Sequence, residues 1–305
     1  MSFDLGALAR AMAAHGPVVR VVVAEVQGSA PREVGASMLV WEDGQSGTIG
    51  GGTLEYQAAG VAREVLAAGE TRRFVRAILG PDMGQCCGGA VGLLYERFEA
   101  LPAVGERYAR PVEKTAVPCP ALPARLPALV EGWFFERLGA QTTPVRIWGA
   151  GHVGRALAQV LAPLPRLAVT LVDTDPARFP DPLPAGVTAR IAPDMPAALA
   201  DTPTHAHHFI VTYSHDIDFA LCDALLTHGF ASAGLIGSAT KRARFRSRLV
   251  QMGHAPAAID RISCPIGTPE LGKEPTAIAV GAAHTLLMEL AKKEAQGPNA
   301  EQGAE

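Results

Sequence analysis

No apolar run in this 305-residue chain reaches the roughly 18 residues that a membrane-spanning helix needs, so no membrane segment is expected. The start of the chain carries Asp4 and has neither a basic leader nor an apolar stretch behind it, and it does not read as a secretory signal peptide. A large excess of charge of one sign is also missing. The formal net charge of −3 gives no overall pull toward nucleic acid. Five cysteines form an odd set without the spacing of a disulfide framework, which points to a reduced, cytoplasmic setting. No internal repeat is visible.

What is present is a large apolar fraction and abundant glycine. With 48% hydrophobic residues, the chain can bury the cores of two domains. The second half is organised around the stretch Val145 to Gly154, a short apolar run followed by glycines at 149, 151 and 154 and then by an amphipathic segment. A second apolar run, Leu167 to Val172, ends in Asp173. Strand, glycine turn, helix start and a later acid make up the dinucleotide fingerprint in its expected context. In that reading Gly149 makes the turn, Gly151 lets a diphosphate approach the backbone, Gly154 lets helix pack on strand, and Asp173 can bind a ribose hydroxyl. The same turn can also bind another phosphate-bearing ligand or simply begin a domain.

In chain order, a helix is expected over 3–14, strands over 18–26 and 37–42, a helix over 54–68, and strands over 71–79 and 90–98. Residues 1–98 thus read as a mixed α+β domain with three glycine-rich loops. Residues 99–143 are rich in proline and read as a linker with one further element near Trp133. From 144 to 293, strands at 145–148, 167–173, 187–191, 208–212, 232–236 and 261–264 alternate with helices, the last over 275–293. The fold class is therefore α/β, with a Rossmann-like domain on a doubly wound parallel sheet following the α+β domain. The polar tail 294–305 is expected to be disordered.

Ligands of an open parallel sheet lie beyond the carboxyl ends of its strands. There stand Tyr213-Ser-His-Asp216 and Gly237 to Arg242. Ser238 and Lys241 at a helix start can hold a phosphate, or Ser238 can act only as an N-cap. His215 and Asp216 can form an acid–base pair, although a polar loop in which Asp216 caps a helix explains them as well. His205, His207 and His208 lack zinc-like companions and read as the exposed start of a strand. In the first half, Cys86 and Cys87 sit between Gln85 and Gly88-Gly89, in a loop too rich in glycine to be core. Thiolates there can bind a soft metal or handle sulfur. Gly50, Gly51 and Gly52 form another loop suited to an anion, or a tight strand–helix corner. Cys119, Cys222 and Cys264 read as structural or incidental.

These motifs resemble a known family. Ala24 to Arg32, Gly47 to Glu55 and Gly84-Gln-Cys-Cys-Gly-Gly89 are similar to the N-terminal motifs of the XdhC/CoxI family, and Ile147 to Gly154, Tyr213 to Asp216 and Ile236 to Arg242 to its C-terminal Rossmann motifs. The resemblance covers nearly the whole chain except the linker and tail. It implies an accessory protein of xanthine dehydrogenase and related molybdenum hydroxylases. Such a protein binds the molybdenum cofactor (molybdopterin) supplied by its biosynthetic proteins. It holds the cofactor while a cysteine desulfurase helps to install the terminal sulfido ligand, and passes it to the molybdenum subunit of the apo-dehydrogenase. Cofactor contact, including contact with molybdenum, is then expected at Cys86 and Cys87. The protein would be a chaperone rather than an enzyme, with no catalytic residues of its own.

Two other readings stay open at this stage. One is an NAD(P)-dependent oxidoreductase with its nucleotide in the Rossmann crevice. It leaves the cysteine pair unexplained, and no Tyr-x-x-x-Lys pair stands in the second half. The other is a thiol redox protein with a vicinal disulfide, which would close a strained ring. A homodimer is expected only from the frequency of symmetric assemblies.

Overall fold

The computed structural model describes residues 3–80, 88–103, 105, 107–112, 118–139, 142–164 and 166–296. Contacts divide the chain into two units, Met1–Gln141 and Thr142–Glu305.

In the first unit, α1 (Leu5–His15) begins at Asp4, whose side chain accepts from the amide of Ala7, and ends at Gly16. The β-branched run that follows forms β1 (Val18–Gln27). It is followed by β2 (Ser37–Val40), β3 (Gln45–Gly47), α2 (Gly52–Ala67), β4 (Arg72–Ile78) and β5 (Ala90–Phe98). The five strands make one antiparallel sheet in the order β3-β2-β1-β5-β4. Strand periodicity sorts β1 between two cores. Val19, Val21 and Val23 face Leu54, Ala58, Ala62 and Val65 of α2. Val22 and Ala24 face the other way, toward Val112 and Phe134.

Those last two residues belong to the segment that reads in sequence as a proline-rich linker. It instead carries β6 (Arg107–Pro111), β7 (Ala128–Val130) and β8 (Trp133–Arg137), a second antiparallel sheet in the order β6-β8-β7. The prolines obscured short strands that pair with one another and cover the outer face of β1 and β5. Four charges are sealed beneath them. Arg20 donates two bonds to Glu136, at 2.6 and 3.0 Å, and Arg110 donates two to Glu96, at 2.7 and 2.6 Å. A further bond from Arg110 to Glu136, at 2.7 Å, joins the pairs. Burial pushes the Glu136 carboxyl up, but the charges of Arg20 and Arg110 outweigh it and hold the group below the usual carboxylate range.

The second unit alternates β9 (Thr143–Trp148), α3 (His152–Leu161), β10 (Leu167–Asp173), β11 (Val187–Ile191), β12 (His207–Ile210), α4 (His215–His228), β13 (Ser232–Leu235), α5 (Ala239–Gln251), α6 (Pro256–Ile259), β14 (Ile262–Ser263) and α7 (Pro275–Gln296). All six strands are parallel, in the order β11-β10-β9-β12-β13-β14. This is the 3-2-1-4-5-6 order of the doubly wound dinucleotide fold. The short elements 176–178 and 197–201 are 3-10 turns rather than α-helices. Helix α7 runs through Gln296, past the expected start of the tail, and residues 297–305 lie outside the described residues. No helix among the described residues is long and apolar enough to cross a membrane.

One expectation fails inside this sheet. His207 and His208 are buried rather than exposed, because β12 is a central strand covered on both faces. His208 accepts from the indole N–H of Trp148 at 3.1 Å through Nδ1, and His207 Nδ1 lies 2.7 Å from the hydroxyl of Ser232. Burial pushes His208 down to about 3 and His207 down to about 4. Both folded values lie below the unfolded one. The stability they allow is therefore complete above about pH 6.5 and is lost as pH falls from there toward 4, where only the unfolded chain takes up protons. The loss at each site grows as pH falls through that window. Urea unfolding of the second unit should shift accordingly between pH 7 and pH 5. His208→Asn, which keeps an acceptor for Trp148, should remove about half of the shift. An unchanged pH dependence in that variant would contradict this account.

Candidate functional site

In the first unit, the glycine-rich loops meet at one end of the large sheet. Gly50 is so close to Pro31 that a Cβ on it would stand 2.4 Å from the proline Cβ. A Cβ on Gly28 would meet the backbone of Gly89 at 3.3 Å, and Ser29 bridges Gly88. Leu79 and Gly88–Gly89 exchange backbone hydrogen bonds at 2.7 and 2.9 Å. Leu79 and Gly88–Gly89 thus lie beside the loop 28–32, which also meets Gly50. Gln85, Cys86 and Cys87 lie outside the described residues.

Gly50, Gly51 and Gly52 all have positive φ, at 128°, 74° and 64°. Three such residues in a row favour glycine at every position. The resulting corner presents its amides inward, and they already hold an anion. Glu55 Oε2 accepts from the amides of Ile49 and Gly51, at 3.0 and 3.1 Å, and from the Thr48 hydroxyl at 2.5 Å. Partial burial pushes the Glu55 carboxyl up, but these donors more than offset it and leave it below its ordinary value. The corner is therefore closed by the protein's own carboxylate, and the open faces of Gly51 and Gly52, where a Cβ would meet nothing within 4 Å, remain for a ligand's approach.

In the second unit, the turn between β9 and α3 has the expected form. Gly149 takes a φ of 109°, and a Cβ on it would lie 2.5 Å from the Val211 carbonyl oxygen. A Cβ on Gly154 would lie 1.8 Å from the carbonyl oxygen of Gly149, whereas one on Gly151 meets nothing within 4 Å. Asp173 behaves differently from a ribose ligand. It is buried, and its oxygens accept from the amides of Ala150 and Thr174, at 2.6 and 2.7 Å. Its carboxylate ties the turn to the end of β10. Arg178, which follows β10, lies 3.5 Å from Asp173 and stacks at 4.0 Å on Tyr213, which follows β12. Because β9 lies between those strands, this pair spans the carboxyl end of β9.

Ser238 is the N-cap of α5, its hydroxyl accepting from the amide of Lys241 at 3.3 Å. The Lys241 ammonium is already committed, donating to Asp218 at 2.5 Å and to the Ile236 carbonyl at 2.9 Å. Asp218 also accepts from the amide and hydroxyl of Thr212. This buried carboxylate went unnoticed in the sequence, where it looks like one more polar residue at a helix start. Asp216 caps nothing, since Ser214 is the N-cap of α4. Cys222 and Cys264 are buried, and burial pushes the Cys222 thiol up to about 12, so neither is a reactive thiolate. Among the described residues, no group of three or more His, Cys, Asp or Glu side chains is arranged to hold a metal.

The chain is thus a two-unit α/β protein, with an antiparallel α+β unit and a Rossmann unit. Residues 11–77 match the model of the XdhC and CoxI family, and residues 145–284 match that of the XdhC Rossmann domain. The protein belongs to the XdhC and CoxI family. The uncharacterized protein YqeB of Escherichia coli strain K12 is 27% identical over 276 residues, covering 89% of this chain and 43% of that protein. The chain spans less than half the length of this curated relative. Among solved structures, a xanthine dehydrogenase from Bacillus halodurans aligns over 97% of this chain and 98% of its own, with 22% identity and a TM-score of 0.72. That likeness shows that the two share a fold.

Proposed function

We propose that this protein serves the maturation of xanthine dehydrogenase. It carries the molybdenum cofactor, holds it while a cysteine desulfurase replaces an oxo ligand by sulfido, and delivers it to the molybdenum subunit of the apo-dehydrogenase. The cofactor reaches it from the biosynthetic proteins, and the cytoplasm is where these partners meet. Membership of the XdhC and CoxI family supports this reading, and the observation that carries it is the meeting of the loop 28–32 with Gly50 on one side and with Gly88–Gly89 on the other. Glycines without side chains let a bulky ligand reach the backbone. Thiols suit a ligand built around molybdenum and sulfur.

A nicotinamide-dependent oxidoreductase is the less favoured reading. The strand order and glycine turn suit a nucleotide, but Asp173 is spent on the turn itself and Arg178 with Tyr213 crosses the crevice. The carrier reading is tested by activation of apo-xanthine dehydrogenase with cofactor and a cysteine desulfurase. Activity should appear many-fold faster with this protein than without it. Equal rates would exclude the proposed role.

A further inference from the structure

A cleft of about 360 Å³ opens between the starts of α4 and α5 in the second unit. Its lining includes His215, Ser238, Thr240, Arg244 and Arg248, with Asp216 the one acidic member. Lys241 also borders it, but its charge is balanced by buried Asp218. The remaining formal charge is two arginines against one carboxylate. Thr240, Arg244 and Arg248 follow one another at intervals of four residues, so they stand on one face of α5. Arg244 and Arg248 are exposed, and no acid pairs with either among the described residues. The neighbouring arginines Arg242 and Arg246 are different, since both reach Asp260. Arg248 is held in place by lying 3.9 Å over the ring of Phe219.

The cleft also receives the amino end of α5. The first-turn amides of a helix have no acceptor within the helix, and the aligned dipoles leave partial positive charge there. Ser238 satisfies one of these amides, that of Lys241. Two unpaired guanidinium groups, two hydroxyls and a helix start thus converge on one concavity. Guanidinium groups match the paired oxygens of a phosphoryl group, and such charged bonds are stronger than neutral ones.

We infer that this cleft binds the phosphoryl end of a small molecule, the phosphate of a nucleotide or of a pterin, and that Arg244 and Arg248 are its main contacts. The glycine turn at Gly149–Gly154, where a Rossmann fold ordinarily takes its phosphates, is the less suited site. There the amide of Ala150 already serves Asp173. Asp216 at the rim accepts from an N–H or O–H of the bound molecule. The inference concerns the second unit alone and holds or fails independently of the carrier role.

The test is calorimetric titration of the full chain with inorganic pyrophosphate at low ionic strength. Arg244→Ala and Arg248→Gln should each weaken binding at least tenfold. Both residues are exposed, so both variants should fold. Gly151→Ala, whose new methyl group meets only open space, should leave binding unchanged. Absence of saturable binding would overturn the inference, as would loss in Gly151→Ala with retention in the arginine variants. Parallel titrations with AMP and with a pterin phosphomonoester identify the source. The true ligand class should bind more tightly than pyrophosphate and keep the arginine dependence, and a gain without that dependence counts against the cleft.

Discussion

Replacing Glu136 with alanine should cost the first unit about 3–5 kcal/mol, enough to unfold much of it near physiological temperature. Arg20 would lose both of its hydrogen bonds to a carboxylate, and Arg110 would keep only Glu96. Both guanidinium groups are sealed, at 1% and 3% exposure, so water cannot replace the lost partner. The remaining Glu96 would face three cations, with Arg110 bonded, Arg20 3.5 Å away and Arg72 3.6 Å away. Glu136→Gln should cost less, because the amide oxygen still accepts, but the effect should have the same sign. Urea unfolding followed by fluorescence of Trp41 and Trp133 reads the loss. A cost under about 1 kcal/mol, the range of an exposed pair, would mean that the four-charge network does not hold the two sheets together.

The second unit should fail as sharply at Gly154. A methyl group there would lie 1.8 Å from the Gly149 carbonyl oxygen, which belongs to the backbone and has no flexible end to yield. Either α3 lifts from β9 or the turn reopens, at about 3 kcal/mol or more. Lifting α3 would also uncover Leu157 and Leu161, now fully buried against β9 and β10. Gly151→Ala, three residues earlier, should be nearly neutral, since its φ of −72° suits alanine and the space is open. Paired thermal unfolding of the two variants measures the contrast. Equal destabilisation would show that the turn is not packed as described.

The Rossmann unit was legible in the sequence because its signals are local and repeated. Three glycines at fixed spacing and strands alternating with helices define the parallel sheet and its mouth before any contact is known. Of the sheet of β6, β7 and β8, only the element near Trp133 was legible, since the other two strands are short and lie among prolines. A trace was present nonetheless. Arg20 interrupts the apolar run Val18–Ala24, and a charge in such a place needs a buried partner. The histidines of β12 misled for a related reason. Polar side chains suggest a surface, whereas Trp148 and Ser232 pair with their Nδ1 atoms inside. At the candidate site, the motif residues Gly149 and Gly154 fill the roles that their spacing implies. The charged members do not. Asp173 and Lys241 look like ligand-binding groups in sequence, and the Gly50–Gly52 corner like an anion loop, yet each is consumed by a neighbour in space, through Ala150, Asp218 and Glu55. Only long-range geometry reveals which charges are already spent.

The carrier role is tested most directly by counting what the purified protein retains. Wild-type chain, Cys86→Ala and Cys87→Ala would each be mixed with freshly released molybdenum cofactor and passed through a desalting column, and bound molybdenum and pterin measured. The account predicts near-stoichiometric retention by the wild type and at least a tenfold loss in one or both cysteine variants. No retention by the wild type would contradict the carrier role, and full retention by both variants would contradict the assignment of the cysteine pair as the site.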